Sequence, residues 1–308
     1  MNRKVTAIVI GLVLVVGFAA VVGYLSFKQN EDDQKGKVVI VVSIAPQREF
    51  AKAVGGDNVK VTSMVPPGQE PHGYEPTIGQ MKDLSDADIY FKMGSGVEFE
   101  ETWMYDFEEQ NRDMRIVDGS KGVVLIPMEY EHEHDHNDTR STRDEKMDPH
   151  IWMSPKNIQL MVQNLLEGLM DEDPENAQYY QGNADDYLVK LDTLIGNISK
   201  GLEPYRGEKF LVYHPAFGYF AHDFGLVQLT IEEEGKEPTP QGLVHVIEQA
   251  KEEGIKVVFV EPQFDKHNAE TIAEEIGGKV ITLDPLAEDY IDNIQEISAR
   301  LIEAFENG

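Results

Sequence analysis

The chain has 308 residues, enough for two ordinary domains, and its 41% hydrophobic content is sufficient to give each domain a core. Lys and Arg total 27 against 56 Asp and Glu. The formal net charge of -29 therefore repels phosphate backbones, and nucleic acid is not an expected partner. The sequence contains no cysteine, which excludes disulfides, thiolate metal sites, thiol catalysis and a lipid-modified cysteine within it.

The amino-terminal segment has the pattern of a signal peptide or membrane anchor. Arg3 and Lys4 precede an uncharged, mostly apolar stretch, residues 5–27, which is long enough to span a bilayer. This length favours an uncleaved anchor. Small residues around Ala19 and Ala20 leave cleavage of a signal peptide as the alternative.

We therefore assign residues 1–28 to the signal or anchor and the polar residues 29–37 to a tether. The positive flank keeps the amino terminus in the cytoplasm and sends the acidic remainder outside. The functional part is expected to be extracytoplasmic, anchored in the membrane through residues 1–28, or secreted if that segment is cleaved.

Strand-like apolar runs alternate with helical patterns after the tether, and this βαβ order favours a mostly parallel sheet covered by helices. The strands predicted for this first lobe cover residues 38–44, 59–65, 87–94 and 114–118. Helices are predicted to begin near Pro46, Thr77 and Phe99. The acidic stretch 128–148 has no apolar period and is predicted to be a loop.

A long helix is predicted in the middle of the chain. Asp173 and Pro174 have the signature of a helix start. From Ala177 to Leu202, apolar residues continue at helical spacing without a proline. We expect one rigid helix that links two lobes. The alternative is two ordinary helices with a break at Gly182.

The same alternation of strands and helices beyond Pro204 indicates a second α/β lobe. Its predicted strands cover residues 210–213, 226–231, 257–262 and 280–283. The chain is thus divided into an amino-terminal lobe (38–172), a linking helix (173–203) and a carboxyl-terminal lobe (204–308). The predicted fold class is α/β, with two lobes of mostly parallel sheet joined by one long rigid helix.

Candidate metal ligands lie at the predicted strand ends. Open parallel sheets bind ligands at the carboxyl ends of their strands, where loops and helix amino termini converge. Four residues of metal-ligand type lie there or in a loop between the lobes: His72, His150, His214 and Asp284. Two come from each half, so a cleft between the lobes would bring them together. Each also has a purely structural explanation. His72 could be a surface turn residue and His150 a helix cap. His214 could be a buried histidine whose hydrogen bonds are satisfied, and Asp284 the cap of the next helix.

Other polar residues are weaker candidates for a metal site. Glu261 also follows a predicted strand and is the second choice for the carboxylate ligand. His222, His245 and His267 lie in or beside helical patterns, and we interpret them as structural residues.

The chain contains, in this order, the stretches PHGYEPT, DPHIWMSP, YHPAFGYF and ITLDPLA. Together they resemble the solute-binding proteins of zinc and manganese ABC importers, the ZnuA-like zinc-binding group (metal-binding cluster A-I family). The resemblance covers essentially everything after the tether. It implies two Rossmann-like lobes joined by one rigid helix, with the metal in the cleft between them. It also implies His72, His150 and His214 as ligands. Asp284 is implied as the fourth, although members vary there and some use water or another carboxylate.

The ligand types favour zinc. Zn²⁺ accepts four-coordinate sites in which imidazole nitrogens bind at about 2.0–2.1 Å and a carboxylate supplies the anionic ligand. Mn²⁺ prefers oxygen-rich surroundings and is less favoured. In the resembling manganese binders the position of His214 is typically a carboxylate, which this sequence lacks. Cu²⁺ is a further alternative, because most nitrogen and oxygen sites bind it more tightly than Zn²⁺.

The run EHEHDHND places His132, His134 and His136 among carboxylates in the predicted acidic loop. A flexible loop does not hold these ligands in a fixed shell. Binding must therefore order the chain, and its affinity should be modest. The loop resembles the variable histidine-rich insertion of zinc-binding members, which suggests an accessory zinc collector. A plain solvated charged loop is the alternative.

We expect a monomeric capture protein that binds extracytoplasmic Zn²⁺ and delivers it to an ABC permease and its ATPase, with no reaction of its own. A zinc hydrolase is one alternative. The acidic loop lacks the H-x-H-x-D-H spacing of a metallo-β-lactamase, but Glu70 and Glu75 flank His72 and leave a general base open. A metal-linked adhesin, or a binder of Mn²⁺ or another divalent metal, is the other alternative.

Overall fold

The computed structural model describes residues 36–128, 146–232 and 236–307. The predicted anchor (1–28) and the three histidines at 132, 134 and 136 lie outside these ranges, so both assignments stay predictions. Among the described residues, no helix combines the length and the apolar character that crossing a membrane requires.

Four parallel strands form the sheet of the first lobe, in the order β2-β1-β3-β4. They are β1 (Val38–Val42), β2 (Val59–Ser63), β3 (Ile89–Lys92) and β4 (Arg115–Asp118). The helices of this lobe are α1 (Pro46–Gly55), α2 (Ile78–Ser85), α3 (Glu98–Gln110) and α4 (Pro155–Glu172). Helix α4 packs against β4, so the segment that precedes α4 belongs to this lobe.

A second sheet of four parallel strands has the matching order β6-β5-β7-β8. Helix α5 (Ala177–Leu202) leads to β5 (Lys209–Val212), β6 (Val227–Thr230), β7 (Val257–Val260) and β8 (Lys279–Thr282). The other helices are α6 (Gly218–Phe224), α7 (Pro240–Glu252), α8 (His267–Ile276) and α9 (Tyr290–Glu306). In both sheets the chain first moves to one side and then crosses to the other, which leaves a crevice between β1 and β3 and between β5 and β7.

Helix α5 links the two lobes. It is continuous over 26 residues, about 39 Å at 1.5 Å per residue, and it packs against α1 and α4 as well as α9. Its buried face repeats every three or four residues: Tyr180, Ala184, Tyr187, Leu191, Leu194, Ile198 and Leu202. The predicted fold class, two parallel α/β lobes joined by one long helix, is confirmed. The alternative of a break at Gly182 is wrong, because that glycine faces open space within an uninterrupted helix. The boundaries drawn between the lobes at residues 172 and 203 stay predictions.

Side-chain caps fix two helix starts that matter for the candidate site. The hydroxyls of Thr77 and Ser154 each accept a hydrogen bond from the third backbone N–H of the helix that follows, at 3.3 and 3.1 Å. These helices, α2 and α4, begin shortly after His72 and His150. The caps therefore hold the end of each loop that carries a candidate ligand.

A buried carboxylate, Glu100 of α3, ties the strand ends beside the first crevice. It accepts hydrogen bonds from the backbone N of Gly94 at 2.8 Å, from the backbone N of Met93 at 2.5 Å and from the hydroxyl of Ser43. These bonds offset only part of the cost of burial. Burial therefore raises the pKa of Glu100 above its ordinary value of 4.5.

Leu191 of α5 tests the role of the linking helix. Its side chain is fully buried, so Leu191→Ala should lower the free energy of unfolding by about 2–5 kcal/mol, measured by urea denaturation. Val189→Ala, on the exposed face of the same helix, is the matched control and should change it by less than about 0.5 kcal/mol. Equal effects of the two variants would contradict the packing described.

The raised pKa of Glu100 predicts a loss of stability as the pH rises. The folded protein keeps this proton to a higher pH than the unfolded chain does. It therefore binds more protons in the window above pH 4.5, where the free energy of unfolding must fall with rising pH. Glu100→Gln cannot ionise, so the wild type should lose stability relative to this variant between about pH 5 and about pH 7.5 in urea unfolding. If the stability of the wild type relative to Glu100→Gln stays constant or rises over this range, the assignment is refuted.

Candidate metal centre

The crevice of the second sheet presents His214 and Glu261. His214 lies two residues after β5, and Glu261 follows β7 directly. These neighbouring strands continue to opposite sides of the sheet, so their carboxyl ends border the position where α/β sheets bind ligands. The backbone N of His214 donates a hydrogen bond to Glu261 Oε2 at 3.3 Å, which joins the two strand ends.

His150 is presented by the segment that precedes α4 in the first lobe. Asp148 Oδ1 accepts hydrogen bonds from the backbone N of His150 at 2.8 Å and from its Nδ1 at 2.7 Å. The hydroxyl of Ser95, just after β3, donates to the carbonyl of Pro149 at 2.5 Å. The imidazole is therefore fixed both by its own turn and by the end of a neighbouring strand.

His72 lies in the loop between β2 and α2. Its Nδ1 donates to Glu70 Oε1 at 2.5 Å, and the same oxygen accepts from the backbone N of His72 at 3.2 Å. The His72 side chain is 40% exposed, against 4% for His150 and 10% for His214. An ion that enters from solvent would therefore meet His72 first.

The three imidazoles are neighbours. The ring centroids of His72 and His214 lie 5.5 Å apart, and those of His150 and His214 lie 5.1 Å apart. The Nε2 atoms of His150 and His214 face each other at 3.2 Å. Two nitrogens bound at about 2.0–2.1 Å to one tetrahedral zinc lie about 3.3–3.4 Å apart, so this pair is slightly closer than two zinc ligands would be.

The three imidazoles are neighbours but do not yet surround a common point. Among the described residues, no three His, Asp or Glu side chains form a ready-made cage around a single point. Small side-chain movements are therefore needed before all three rings converge on one ion.

Each of the three imidazoles has a carboxylate behind it. Glu232 Oε2 accepts a hydrogen bond from His214 Nδ1 at 2.6 Å, as Asp148 does for His150 and Glu70 for His72. A carboxylate that accepts from Nδ1 fixes the tautomer in which the Nε2 lone pair is free. This is the arrangement found behind metal-bound histidines. In this tautomer the Nε2 lone pair of each of the three rings is available to a metal.

Sequence reasoning did not identify these orienting carboxylates, although two had a local signal. Glu70 and Asp148 each occur as an acidic residue, then proline, then the candidate histidine. Glu232 has no such signal, because it lies 18 residues from His214 in the chain. Glu232 follows β6, so its place beside His214 becomes evident only when β6 is known to pair with β5.

Burial and hydrogen bonding shift the pKa values of His72 and His150 in opposite directions. The hydrogen bond with Glu70 raises the pKa of His72 in spite of partial burial. Burial lowers the pKa of His150 even though Asp148 favours its charged form. Burial also raises the pKa of Glu261 well above its ordinary value. The lowered pKa of His150, which is buried, favours its neutral form, and this is the form that binds a metal.

Two carboxylates remain candidates for a fourth ligand. Asp284, after β8, uses Oδ1 to accept hydrogen bonds from the backbone N of Leu286 at 2.9 Å and from Gln263 Nε2 at 3.1 Å. Both bonds fall on one oxygen, which leaves Oδ2 for another partner. Glu261 has a buried Oε1 without a hydrogen-bond partner among the described residues. Glu261 bonds directly to His214, whereas Asp284 follows β8, the strand next to β7 in the sheet.

The remaining described histidines are exposed residues of helices. His222 and His245 are exposed on α6 and α7, and His267 is exposed at the start of α8. Their exclusion from the ligand set stays a prediction.

The sequence and fold match a known family. Residues 40–304 match the family described as zinc-uptake complex component A, periplasmic, or ZnuA. The chain belongs to the ZnuA family. The predicted resemblance to ZnuA-like solute-binding proteins is thereby confirmed.

Curated relatives and solved structures agree with the ZnuA family. The chain is 32% identical over 274 residues to the high-affinity zinc uptake system protein ZnuA of Bacillus subtilis, with 87% of this chain and 84% of that protein covered. It is 31% identical over 265 residues to the zinc-binding protein AdcA of Streptococcus pyogenes. That match covers 82% of this chain but 51% of AdcA, so the chain spans about half the length of this relative. A crystal structure of ZnuA aligns with a TM-score of 0.80 at 36% identity, covering 87% of this chain and 99% of that one.

Glu232 tests whether the carboxylates behind the imidazoles prepare the site. Glu232→Gln keeps the shape of the side chain but removes its charge, so the affinity for Zn²⁺ should fall by about 10–100-fold in a competition titration with a chelator. Glu248→Gln, on the exposed surface of α7, is the control and should bind Zn²⁺ as the wild type does. Wild-type affinity in Glu232→Gln would show that this carboxylate does not support the ligand.

Proposed function

We propose that this chain captures Zn²⁺ outside the cytoplasm and delivers it to an ABC permease and its ATPase. The observation that carries the proposal is the cluster of His72, His150 and His214, contributed by two lobes, each with Nδ1 bound to a carboxylate. Membership of the ZnuA family and the names of its zinc-uptake relatives support the same role. The ligands are His72, His150 and His214, with Asp284 as the fourth and Glu261 as the second candidate for that place.

The donor set supports zinc as the cargo. Three neutral imidazoles and one carboxylate suit four-coordinate Zn²⁺, whereas Mn²⁺ prefers sites made mostly of oxygen. The Nε2 spacing of His150 and His214 is close to that of two ligands on one tetrahedral ion. Mn²⁺ is the alternative cargo, with lower affinity expected.

The role requires no reaction, and the surroundings of the cluster support binding over catalysis. A zinc hydrolase needs a free general base beside the metal. Glu70, one of two residues that left this alternative open, has its Oε1 engaged by Nδ1 and the backbone N of His72. Glu75 is exposed. The adhesin alternative stays an untested prediction.

The parts of the chain outside the described residues are assigned from sequence alone. Residues 1–28 would anchor the protein to the membrane or, if cleaved, export it. The histidines at 132, 134 and 136 would collect zinc near the cleft with modest affinity. We expect the mature protein to act as a monomer, because the ligands proposed for the ion all come from one chain.

Zinc retention after dialysis tests this function. The wild type should retain about one Zn²⁺ per chain against a moderate chelator, because a single four-coordinate site is proposed. His150→Ala and His72→Ala should each lose it, since either change removes a nitrogen ligand. Metal content is measured by atomic emission, and far-UV circular dichroism checks that the variants are folded.

The matched control is His245→Ala, which removes an exposed histidine on α7. It should retain zinc as the wild type does. Zinc retention that is insensitive to both His72→Ala and His150→Ala would overturn the proposed site. Hydrolytic turnover abolished by His150→Ala would favour the enzyme alternative instead.

A further inference from the structure

Trp152 lies where the two lobes meet the candidate site. It belongs to the short 3₁₀ helix Ile151–Met153 that precedes α4, and it is only 2% exposed. Its indole has two separate contacts, one with a ligand of the first lobe and one with the backbone of the second. A buried indole normally uses its N–H as a hydrogen-bond donor. Here the acceptor is a backbone carbonyl of the second lobe.

The first contact is with His150. The two ring centroids lie 5.1 Å apart with an interplanar angle of 61°, an edge-on arrangement favourable for aromatic rings. The indole therefore forms one wall of the pocket that holds this imidazole.

The second contact reaches the loop after β8. Trp152 Nε1 donates a hydrogen bond to the carbonyl of Pro285 at 2.8 Å. The same peptide unit carries the N–H of Leu286, which donates to Asp284 Oδ1 at 2.9 Å. Because a peptide unit is planar, the direction of its carbonyl also fixes the direction of its N–H. By holding the carbonyl, Trp152 aims the N–H at the Asp284 carboxylate.

We propose that Trp152 is a positioning residue that couples His150 of the first lobe to Asp284 of the second, through the Pro285–Leu286 peptide. The inference rests on the proposed zinc-binding function and extends it. The indole sets where the Asp284 carboxylate lies relative to the imidazoles. Asn293 Nδ2, which donates to the carbonyl of Asp284 at 2.7 Å, holds the other side of the same residue.

A second set of bonds between the lobes reaches the same loop without touching Asp284. Glu288 forms ion pairs with Arg48 at 2.6 Å and Lys52 at 2.8 Å, both on α1. These pairs dock the loop on the first lobe. Trp152 differs because its hydrogen bond falls on the peptide that itself binds the Asp284 carboxylate. An effect on Asp284 is therefore expected of Trp152 in particular.

A double-mutant cycle tests the coupling in the full-length protein. Trp152→Phe keeps an aromatic ring beside His150 but removes the N–H donor, and Asp284→Asn removes the charged ligand. Each single variant should weaken Zn²⁺ binding by about 10–100-fold, measured against a competing chelator. The double variant should bind no more weakly than Asp284→Asn alone, because the two changes remove the same contribution.

The control for this cycle is Trp103→Phe. Trp103 is the other tryptophan of the chain, and its Nε1 also donates to a backbone carbonyl, that of Tyr74, at 3.1 Å. Any loss of affinity it causes should multiply with the loss caused by Asp284→Asn. The proposal is overturned if Trp152→Phe binds Zn²⁺ as the wild type does, if its loss multiplies with that of Asp284→Asn, or if Asp284→Asn alone has no effect.

A measurement that leaves Trp152 intact covers the case in which Trp152→Phe does not fold. In the Trp103→Phe protein, Trp152 is the sole tryptophan. Under tryptophan-selective excitation, Zn²⁺ should change its emission in a titration that Asp284→Asn weakens. Emission that is insensitive to bound Zn²⁺ would overturn the proposal. Loss of zinc binding by the wild type would instead be a failure of the proposed function, which separates the two outcomes.

Discussion

The candidate site depends on the hydrogen bond between imidazole Nδ1 and a carboxylate. A neutral imidazole has one N–H and one lone pair, and only the nitrogen with the lone pair binds a metal. An ionised carboxylate accepts hydrogen bonds and donates none, so its presence at Nδ1 selects the tautomer with a free Nε2. Asp148 and Glu232, which make this bond to His150 and His214, are themselves buried. Their burial is costly unless their oxygens are satisfied, and the imidazole N–H supplies part of that compensation.

The fold determines which side chains are available for this arrangement. Both sheets are parallel and share one strand order, so each lobe offers a single crevice at its strand ends. Helix α5 packs against helices of both lobes, and this fixes how the two crevices are joined. Since α5 is continuous and well buried on one face, large changes of the angle between the lobes would disrupt its packing. Capture and release of an ion are therefore expected to use movements of loops and side chains.

Much of this could be predicted from the sequence, for physical reasons. Strands and helices alternate with clear apolar periods, and His214 directly follows the predicted strand 210–213. Both the fold class and the position of this candidate ligand at a strand end were therefore predictable. The partner of His214 was not, because Glu232 is remote in the chain and becomes a neighbour only through the pairing of β5 with β6. The hydrogen bond from Trp152 to Pro285 joins residues 133 positions apart and leaves no local signal.

The choice of a fourth ligand also could not be made from the sequence alone. Asp284 and Glu261 both follow strands of one sheet, so their placement in the sequence does not separate them. Side-chain contacts do distinguish them: Asp284 is aimed by the Leu286 N–H, whereas Glu261 is deeply buried and bonded to the backbone of His214. Burial raises the pKa of Glu261 well above its ordinary value, so its charged form is disfavoured. Asp284 therefore stays the first candidate for the fourth ligand and Glu261 the second.

Glu232 favours a nitrogen ligand over an oxygen ligand at position 214. Glu232 Oε2 lies 2.6 Å from His214 Nδ1, a distance that suits an N–H donor. A carboxylate at position 214 would bring two anions to this separation in a buried place, and their repulsion would disfavour that side chain. Glu232 therefore does more than orient His214, because it makes imidazole the compatible residue at the end of β5. Since Mn²⁺ prefers oxygen ligands and Zn²⁺ accepts imidazole, this hydrogen bond helps to determine which metal the crevice favours.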